Sequence, residues 1–118
     1  MRLVLTLAAL SGFLAVAFGA FAAHGISDPQ ATEWLKTGAH YQLVHALAVF
    51  ACAVVSGRAG RPMRLAPSLF LAGGLLFAGS LYAMAFGAPR WFGAITPLGG
   101  LCLLAGWLLL ARAAWKSA

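Results

Sequence analysis

The sequence predicts an all-α fold, a bundle of four transmembrane helices with a short amphipathic helix in its first outer loop. Of the 118 residues, 63% are hydrophobic and only 8% are charged, whereas a soluble domain carries about 25% charged residues. The apolar residues form four runs, each close to the roughly 20 residues that a helix needs to cross a bilayer. Almost every charged residue and proline lies at or between the ends of these runs. Residues 1–118 are therefore expected to form a single membrane domain.

The first apolar run predicts a span over residues 3–23. As a helix this run rises about 31 Å, which matches the thickness of the hydrocarbon core of a bilayer. The run is also longer than the apolar part of a secretory signal peptide, which holds about 7–15 residues. We therefore interpret it as a membrane span and not as a cleaved signal.

A short amphipathic helix is predicted after the first span. Ser27 or Asp28 is expected to cap it, with Pro29 in its first turn. The segment then mixes apolar and polar residues up to about Lys36, a composition that suits the headgroup interface. Trp34 is the expected anchor in that interface.

Three further spans follow. The second is predicted over residues 38–56, with Gly57 as its end. The third covers residues 67–86 and the fourth residues 97–115, and a proline opens each of them. Thr96 is expected to cap the fourth span with its side chain.

Small residues are expected where the helices touch, because helices in lipid associate by close packing and polar contacts. The sequence predicts such contacts at these alanines and glycines of spans one, three and four: Ala8, Gly12, Ala15, Gly19, Gly74, Ala78, Gly79, Gly99, Gly100 and Gly106.

The basic residues predict the orientation in the membrane. Six of them fall on one side of the four predicted spans, namely Arg2, Arg58, Arg61, Arg64, Arg112 and Lys116, while Lys36 and Arg90 fall on the other. Loops on the cytoplasmic side carry the excess of Lys and Arg. We therefore expect both termini to be cytoplasmic.

Several classes of function are not expected. The formal charge of +6 does not form a basic stripe on a polar domain, so we expect no nucleic-acid partner. Cys52 and Cys102 lie in apolar runs and form no close pair, so neither a metal site nor a cofactor is predicted from them. A site built from histidines alone has no recognised ligand spacing.

Polar residues within or beside the spans are the candidate ligand-binding residues. Antiparallel threading is expected to bring them together beneath the outer surface; they are His24, Tyr41, Gln42, His45, Ser80, Tyr82 and Thr96. His45 is the main candidate because it is predicted about two turns inside the second span, where an ionisable side chain must face protein or water. The alternative, which we favour, is a neutral core histidine that holds the bundle together through a Tyr, Gln or backbone partner.

A second candidate site is the basic loop after the second span. Arg58, Arg61 and Arg64 are candidates for contact with anionic lipid headgroups. Their role in setting topology is by itself a sufficient explanation for them.

Three stretches of the chain resemble a known family. They are Gly19-Ala20-Phe21-Ala22-Ala23-His24-Gly25, Tyr41-Gln42-Leu43-Val44-His45-Ala46-Leu47-Ala48, and Gly79-Ser80-Leu81-Tyr82 with Ile95-Thr96-Pro97-Leu98-Gly99-Gly100 and Gly106-Trp107. Together they are similar to domain-of-unknown-function family 423, and the likeness covers nearly the whole chain. Ala22 stands where Gly is expected and Ala78 where Ser is common, and both are exchanges between small residues. The resemblance implies a four-helix protein of the bacterial plasma (inner) membrane, and it marks the candidate ligand-binding residues as motif positions without assigned chemistry.

These observations lead to two hypotheses of function. The first is a non-enzymatic binding or accessory protein with a polar pocket in the outer leaflet. The alternative is an oligomeric transporter of a small molecule or an ion, because 118 residues enclose little lumen alone. An enzyme that uses His45 and Tyr41 as acid and base is not expected, since no nucleophile or metal set accompanies them. The bilayer, anionic lipids and other copies or subunits are the expected partners.

Overall fold

Four long antiparallel helices make up the computed structural model, which describes residues 1–117. They are α1 (Arg2–His24), α2 (Pro29–Ala59), α3 (Leu65–Ala85) and α4 (Ile95–Lys116), and a short 3-10 helix (Arg90–Ala94) precedes α4. All four are long and apolar enough to cross a membrane. The predicted all-α class with four transmembrane helices is confirmed.

The ends of α2 show how local sequence sets the helix boundaries. Asp28 caps the helix by accepting a hydrogen bond of 2.8 Å from the backbone N–H of Ala31, and Pro29 occupies the first turn, as predicted. The predicted end at Gly57 is wrong, because the helix continues to Ala59. Gly60 ends it instead, since this glycine adopts the left-handed conformation with φ of 68° that a side chain disfavours.

The amphipathic segment is helical but is continuous with the second span. Residues 29–36 form the first two turns of α2, whose 31 residues rise about 46 Å. The helical hydrogen bonds continue without a break between Lys36 and Ala39. Gly38 does not end the helix; it allows the Tyr82 ring to pack closely, because a Cβ there would lie 2.7 Å from Cε1 of Tyr82. The anchor predicted at Trp34 meets the second outer loop, where the Arg90 guanidinium lies 5.9 Å from the centre of its ring.

α2 and α3 lie at the centre of the bundle, with α1 against α2 and α4 against α3. Within residues 1–117, α1 and α4 do not contact each other. α3 and α4 cross at Gly73 and Gly99, where a Cβ on Gly99 would lie 2.5 Å from the amide nitrogen of Phe77. The sequence pattern pointed to Gly74, but a Cβ on that residue would meet open space.

The outward surface is apolar, and small residues form the buried face of α1. On α1, Ala8, Ala15 and Ala22 recur every seven residues and are buried, while leucines such as Leu3 and Leu10 face outward. This is the inverse of a water-soluble bundle and suits a lipid solvent, in which large apolar side chains gain little from burial between helices.

Candidate functional site

The predicted ligand-binding residues form three separate hydrogen-bonded contacts and do not share one pocket. Gln42 and Tyr82 meet between α2 and α3, His45 meets α4, and Ser80 meets Thr96 between α3 and α4. Of the other two, Tyr41 takes part only through its backbone carbonyl, and His24 ends α1 with an exposed side chain and joins none of the contacts.

The first contact ties three helices together. The Tyr82 hydroxyl donates to Oε1 of Gln42 at 2.6 Å, and Nε2 of Gln42 donates to the Ser11 hydroxyl of α1 at 3.1 Å. Phe18 of α1 stacks on the Tyr82 ring with centroids 4.1 Å apart, and Gly38 leaves room for that ring on its other flank. The tyrosine hydroxyl and the Gln42 amide are thereby satisfied inside the protein.

The second contact determines which proton His45 carries. Nε1–H of Trp107 is a donor only, and it lies 2.9 Å from Nε2 of His45. Nε2 must therefore be unprotonated, so the ring proton sits on Nδ1 and is donated to the Tyr41 carbonyl oxygen at 2.6 Å. His45 is 6% exposed and neutral in this arrangement. Both ring nitrogens have protein partners, which agrees with the structural interpretation favoured from the sequence.

The third contact corrects the role predicted for Thr96. Ser80 donates its hydroxyl proton to the Phe77 carbonyl at 2.9 Å, so at 2.5 Å from Thr96 it accepts the threonine hydroxyl proton. Thr96 does not cap α4. The 3-10 helix leads straight into α4, so the capping position falls on Ala94, which has no side-chain cap, and Thr96 already lies within the helix facing α3.

The structure also shows where His45 lies along its helix. α2 begins nine residues before the predicted span, so His45 lies about 24 Å along the helix from Pro29 and about 21 Å from its other end. Its partner Trp107 lies near the middle of α4. The histidine is therefore near mid-bundle and not two turns from the outer end.

Every buried side-chain nitrogen and oxygen in residues 1–117 has a hydrogen-bond partner. Such full pairing is what a polar contact needs to stabilise a bundle, because an unpaired polar group in a low-dielectric interior costs free energy. Over the same residues, no group of three His, Cys, Asp or Glu side chains is positioned to hold a metal ion.

Five aromatic rings form a continuous cluster around His45 that reaches the lipid-facing surface. We call it the aromatic face; it consists of Tyr41, His45, Phe70, Phe77 and Trp107. The ring centroids of Tyr41 and Phe77 are 4.4 Å apart and those of Phe70 and Trp107 are 5.2 Å apart. Tyr41 is 40% exposed and Trp107 is 42% exposed. The Tyr41 hydroxyl has no hydrogen-bond partner in the part of the chain that the structure describes.

Sequence reasoning missed Trp107 and Ser11 as partners of the polar residues. A signal was present in each case. Tryptophan favours the membrane interfaces, so Trp107 in the middle of an apolar run is out of its usual place. Ser11 is likewise a hydroxyl residue inside an apolar run; the other hydroxyl residue of α1, Thr6, bonds back to the Arg2 carbonyl.

The residues predicted to contact anionic lipid lie at the other end of the bundle from His24. There two clefts open, of about 440 Å³ and about 310 Å³. Arg61 and Arg64 line the larger cleft together with residues of α4, whereas Arg58 does not line it.

Comparison with known proteins yields one family and a set of relatives. The family described as Protein of unknown function (DUF423) matches residues 18–100. A UPF0382 membrane protein of Haemophilus influenzae is 50% identical over 116 residues, covering 96% of this chain and 94% of the relative. The UPF0382 inner membrane protein YgdD of Escherichia coli K12 is 44% identical over 113 residues, covering 92% and 86%. A UPF0382 membrane protein of Staphylococcus haemolyticus is 39% identical over 120 residues, covering 98% of each chain. No solved structure matches significantly.

Proposed function

The chain belongs to the DUF423 family, so it is a small four-helix membrane protein, and from that premise we propose that it is a non-enzymatic binding protein. Its ligand is an amphiphilic molecule that enters from the lipid phase and lies against the aromatic face. The single observation that carries the proposal concerns Tyr41, whose side chain is 40% exposed beside other aromatic rings and whose hydroxyl makes no hydrogen bond within residues 1–117.

The physical argument rests on the surroundings of that hydroxyl. A hydroxyl that faces hydrocarbon without a partner costs roughly 1–3 kcal/mol by protein mutational scales. A ligand with a carbonyl or hydroxyl oxygen would relieve this cost, while its apolar part lies against Phe77 and Trp107. Apart from His24, which is exposed at the end of α1, the other candidate polar residues already bond within the protein. Tyr41 is therefore the member of the predicted set inside the bundle that is free to bind a ligand.

The same arrangement favours binding over chemistry. His45 is the residue that an enzyme would use, yet Trp107 and the Tyr41 carbonyl occupy both of its ring nitrogens. A general base needs a free nitrogen within reach of its substrate.

We place the protein in the inner membrane of a bacterium with both termini in the cytoplasm. The relatives in Haemophilus influenzae and Escherichia coli are named as membrane and inner membrane proteins, and the excess of basic residues at one end supports this orientation. The aromatic face then lies near the middle of the bilayer, within reach of acyl chains or isoprenoid-like molecules and remote from water.

Purification in native lipid discs tests the proposal. Mass spectrometry of the co-purifying molecules should find an amphiphile enriched over the bulk membrane. Tyr41→Phe removes one neutral hydrogen bond, of about 1 kcal/mol, so retention of this molecule should fall about fivefold. Leu43→Ala is the control, since Leu43 also faces outward from α2 but lies outside the aromatic face. Equal retention by wild type and Tyr41→Phe would refute the proposal.

The same preparation addresses the alternative of an oligomeric transporter. Native mass spectrometry of the discs counts the copies per particle. A single copy with an enriched amphiphile supports the binding protein, whereas several copies without a retained molecule would favour the transporter.

A further inference from the structure

A basic cleft opens at the opposite end of the bundle from His24. It has a volume of about 440 Å³ and lies between the α2–α3 loop and the last turns of α4. Four cationic side chains line it, from two separate parts of the chain: Arg61, Arg64, Arg112 and Lys116. Among residues 1–117 no carboxylate lines the cleft, and the two acidic residues of the chain, Asp28 and Glu33, lie at the start of α2 at the other end. This basic cleft therefore has no acidic side chain to offset its four cations.

The loop that carries two of these cations is held by a specific contact. The Ser56 hydroxyl oxygen accepts a hydrogen bond of 3.0 Å from the backbone N–H of Met63, which closes the turn that Gly60 begins. Ser56 itself lines the cleft, and its hydroxyl proton has no acceptor among residues 1–117. The cleft thus offers a neutral hydrogen-bond donor beside its cations.

Membrane topology alone does not account for this convergence. Topology depends on how many Lys and Arg residues lie on a side of the membrane, and it does not require them to share a cleft. Arg58 illustrates the difference, since it belongs to the same basic end but does not line the cleft. It lies in the last turn of α2, where a cation complements the helix dipole.

We propose that the basic cleft binds a phosphate group, supplied either by the headgroup of an anionic lipid or by a free phosphate at the membrane surface. Guanidinium groups bind phosphate oxygens through paired N–H donors, and the Ser56 hydroxyl adds a further donor. The volume falls within the range of about 300–1,000 Å³ typical of small-molecule sites. Val55, Leu65 and Leu109 add an apolar wall on which the upper part of an acyl chain can lie. This site is separate from the aromatic face and does not depend on the function proposed for it.

The lipid arm of the test uses the whole protein in discs of defined composition. Discs of phosphatidylcholine with about a third of phosphatidylglycerol are prepared, and native mass spectrometry measures which lipid stays bound after the disc is removed. We expect preferential retention of phosphatidylglycerol. A direct hydrogen bond from a cation to a phosphate oxygen contributes about tenfold in binding, so the double variant Arg61→Gln, Arg112→Gln should reduce this preference about 100-fold. Four cations then remain at this end against two at the other, so the topology bias is kept.

Arg58→Gln is the matched control, because it removes the same charge from the same end of the bundle without altering the cleft. It should change the preference by less than about twofold, since an exposed charge outside the site acts only through a screened field.

The solute arm separates the two sources of phosphate. Inorganic phosphate is titrated into discs of phosphatidylcholine alone at constant ionic strength, and the thermal unfolding of wild type and the double variant is followed. If inorganic phosphate stabilises wild type but not the double variant, free phosphate is a ligand of the cleft. If wild type prefers phosphatidylglycerol but is not stabilised by inorganic phosphate, the ligand is a lipid headgroup. The proposal is overturned if wild type shows neither effect, or if Arg58→Gln reduces the preference as much as the double variant does.

Discussion

The hydrogen bond between α2 and α4 predicts a specific loss of stability when its donor is removed. Trp107→Phe keeps an aromatic ring against Phe70 but deletes the N–H that lies 2.9 Å from Nε2 of His45. The acceptor is then left unpaired on a side chain that is 6% exposed. Leaving a buried acceptor without a partner costs about 1–3 kcal/mol, and hydrogen bonds between membrane helices reach about 1.7 kcal/mol. We expect a decrease of about 1.5 kcal/mol in the free energy of unfolding.

A double-mutant cycle in bicelles measures this interaction directly. Unfolding of wild type, Trp107→Phe, His45→Leu and the double variant is followed by steric trapping, and a coupling of about 1 kcal/mol is expected for directly bonded residues. Trp115→Phe is the control, because Trp115 is on the same helix but is 86% exposed. Its effect should stay within about 0.5 kcal/mol. A coupling indistinguishable from zero would refute the assignment of His45 as a structural residue held by Trp107.

Three further predictions follow from the same contacts. Tyr82→Phe keeps the ring packing but removes the hydrogen-bond donor to Gln42, so the free energy of unfolding should fall by about 1 kcal/mol. Steric trapping measures this change, and an unchanged stability would argue against the contact between Tyr82 and Gln42. Gly99→Ala pushes a methyl group into the backbone of Phe77 and should destabilise the protein by about 1–3 kcal/mol. Gly74→Ala places its methyl group in open space and should be neutral or stabilise by up to about 1 kcal/mol. Equal effects of the two variants in the same assay would contradict the crossing of α3 and α4 at Gly99. A reporter active only in the cytoplasm should work when fused to either terminus, and activity of a periplasmic reporter there would reverse the proposed orientation.

The number and class of the helices were predictable because bilayer thickness imposes a length on each apolar run. The N-terminal cap of α2 was predictable from local sequence, namely Asp28 followed by Pro29. The continuity of α2 was not predictable from polarity. Residues 29–36 have the composition of an interfacial helix, but a change in polarity does not end a helix. A helix ends where a breaker or a cap stops its backbone hydrogen bonds, and in α2 the first glycine that does so is Gly60.

The pairing of the polar residues could be predicted only in part. Ser80 and Tyr82 are only two residues apart on α3 and so lie on different faces of it; Tyr82 bonds to α2 and Ser80 to α4. Trp107 and His45 are 62 residues apart, and their contact depends on how α4 is rotated. In a soluble helix the apolar stripe reveals this rotation. A membrane helix is apolar on both its lipid face and its packed face, so the pattern that would have identified the contact is missing.

The two tyrosines of the chain provide the most direct test of the central claim, that the buried polar residues hold the bundle together while the aromatic face binds a ligand. Tyr41→Phe and Tyr82→Phe delete the same hydroxyl, and each is purified in native lipid discs and measured for both unfolding free energy and the retained amphiphile. Tyr41→Phe should retain about fivefold less of the amphiphile without a loss of stability, and Tyr82→Phe should lose about 1 kcal/mol of stability while it keeps the amphiphile. The reverse outcome, with the ligand lost from Tyr82→Phe and the stability lost from Tyr41→Phe, would contradict this assignment of roles.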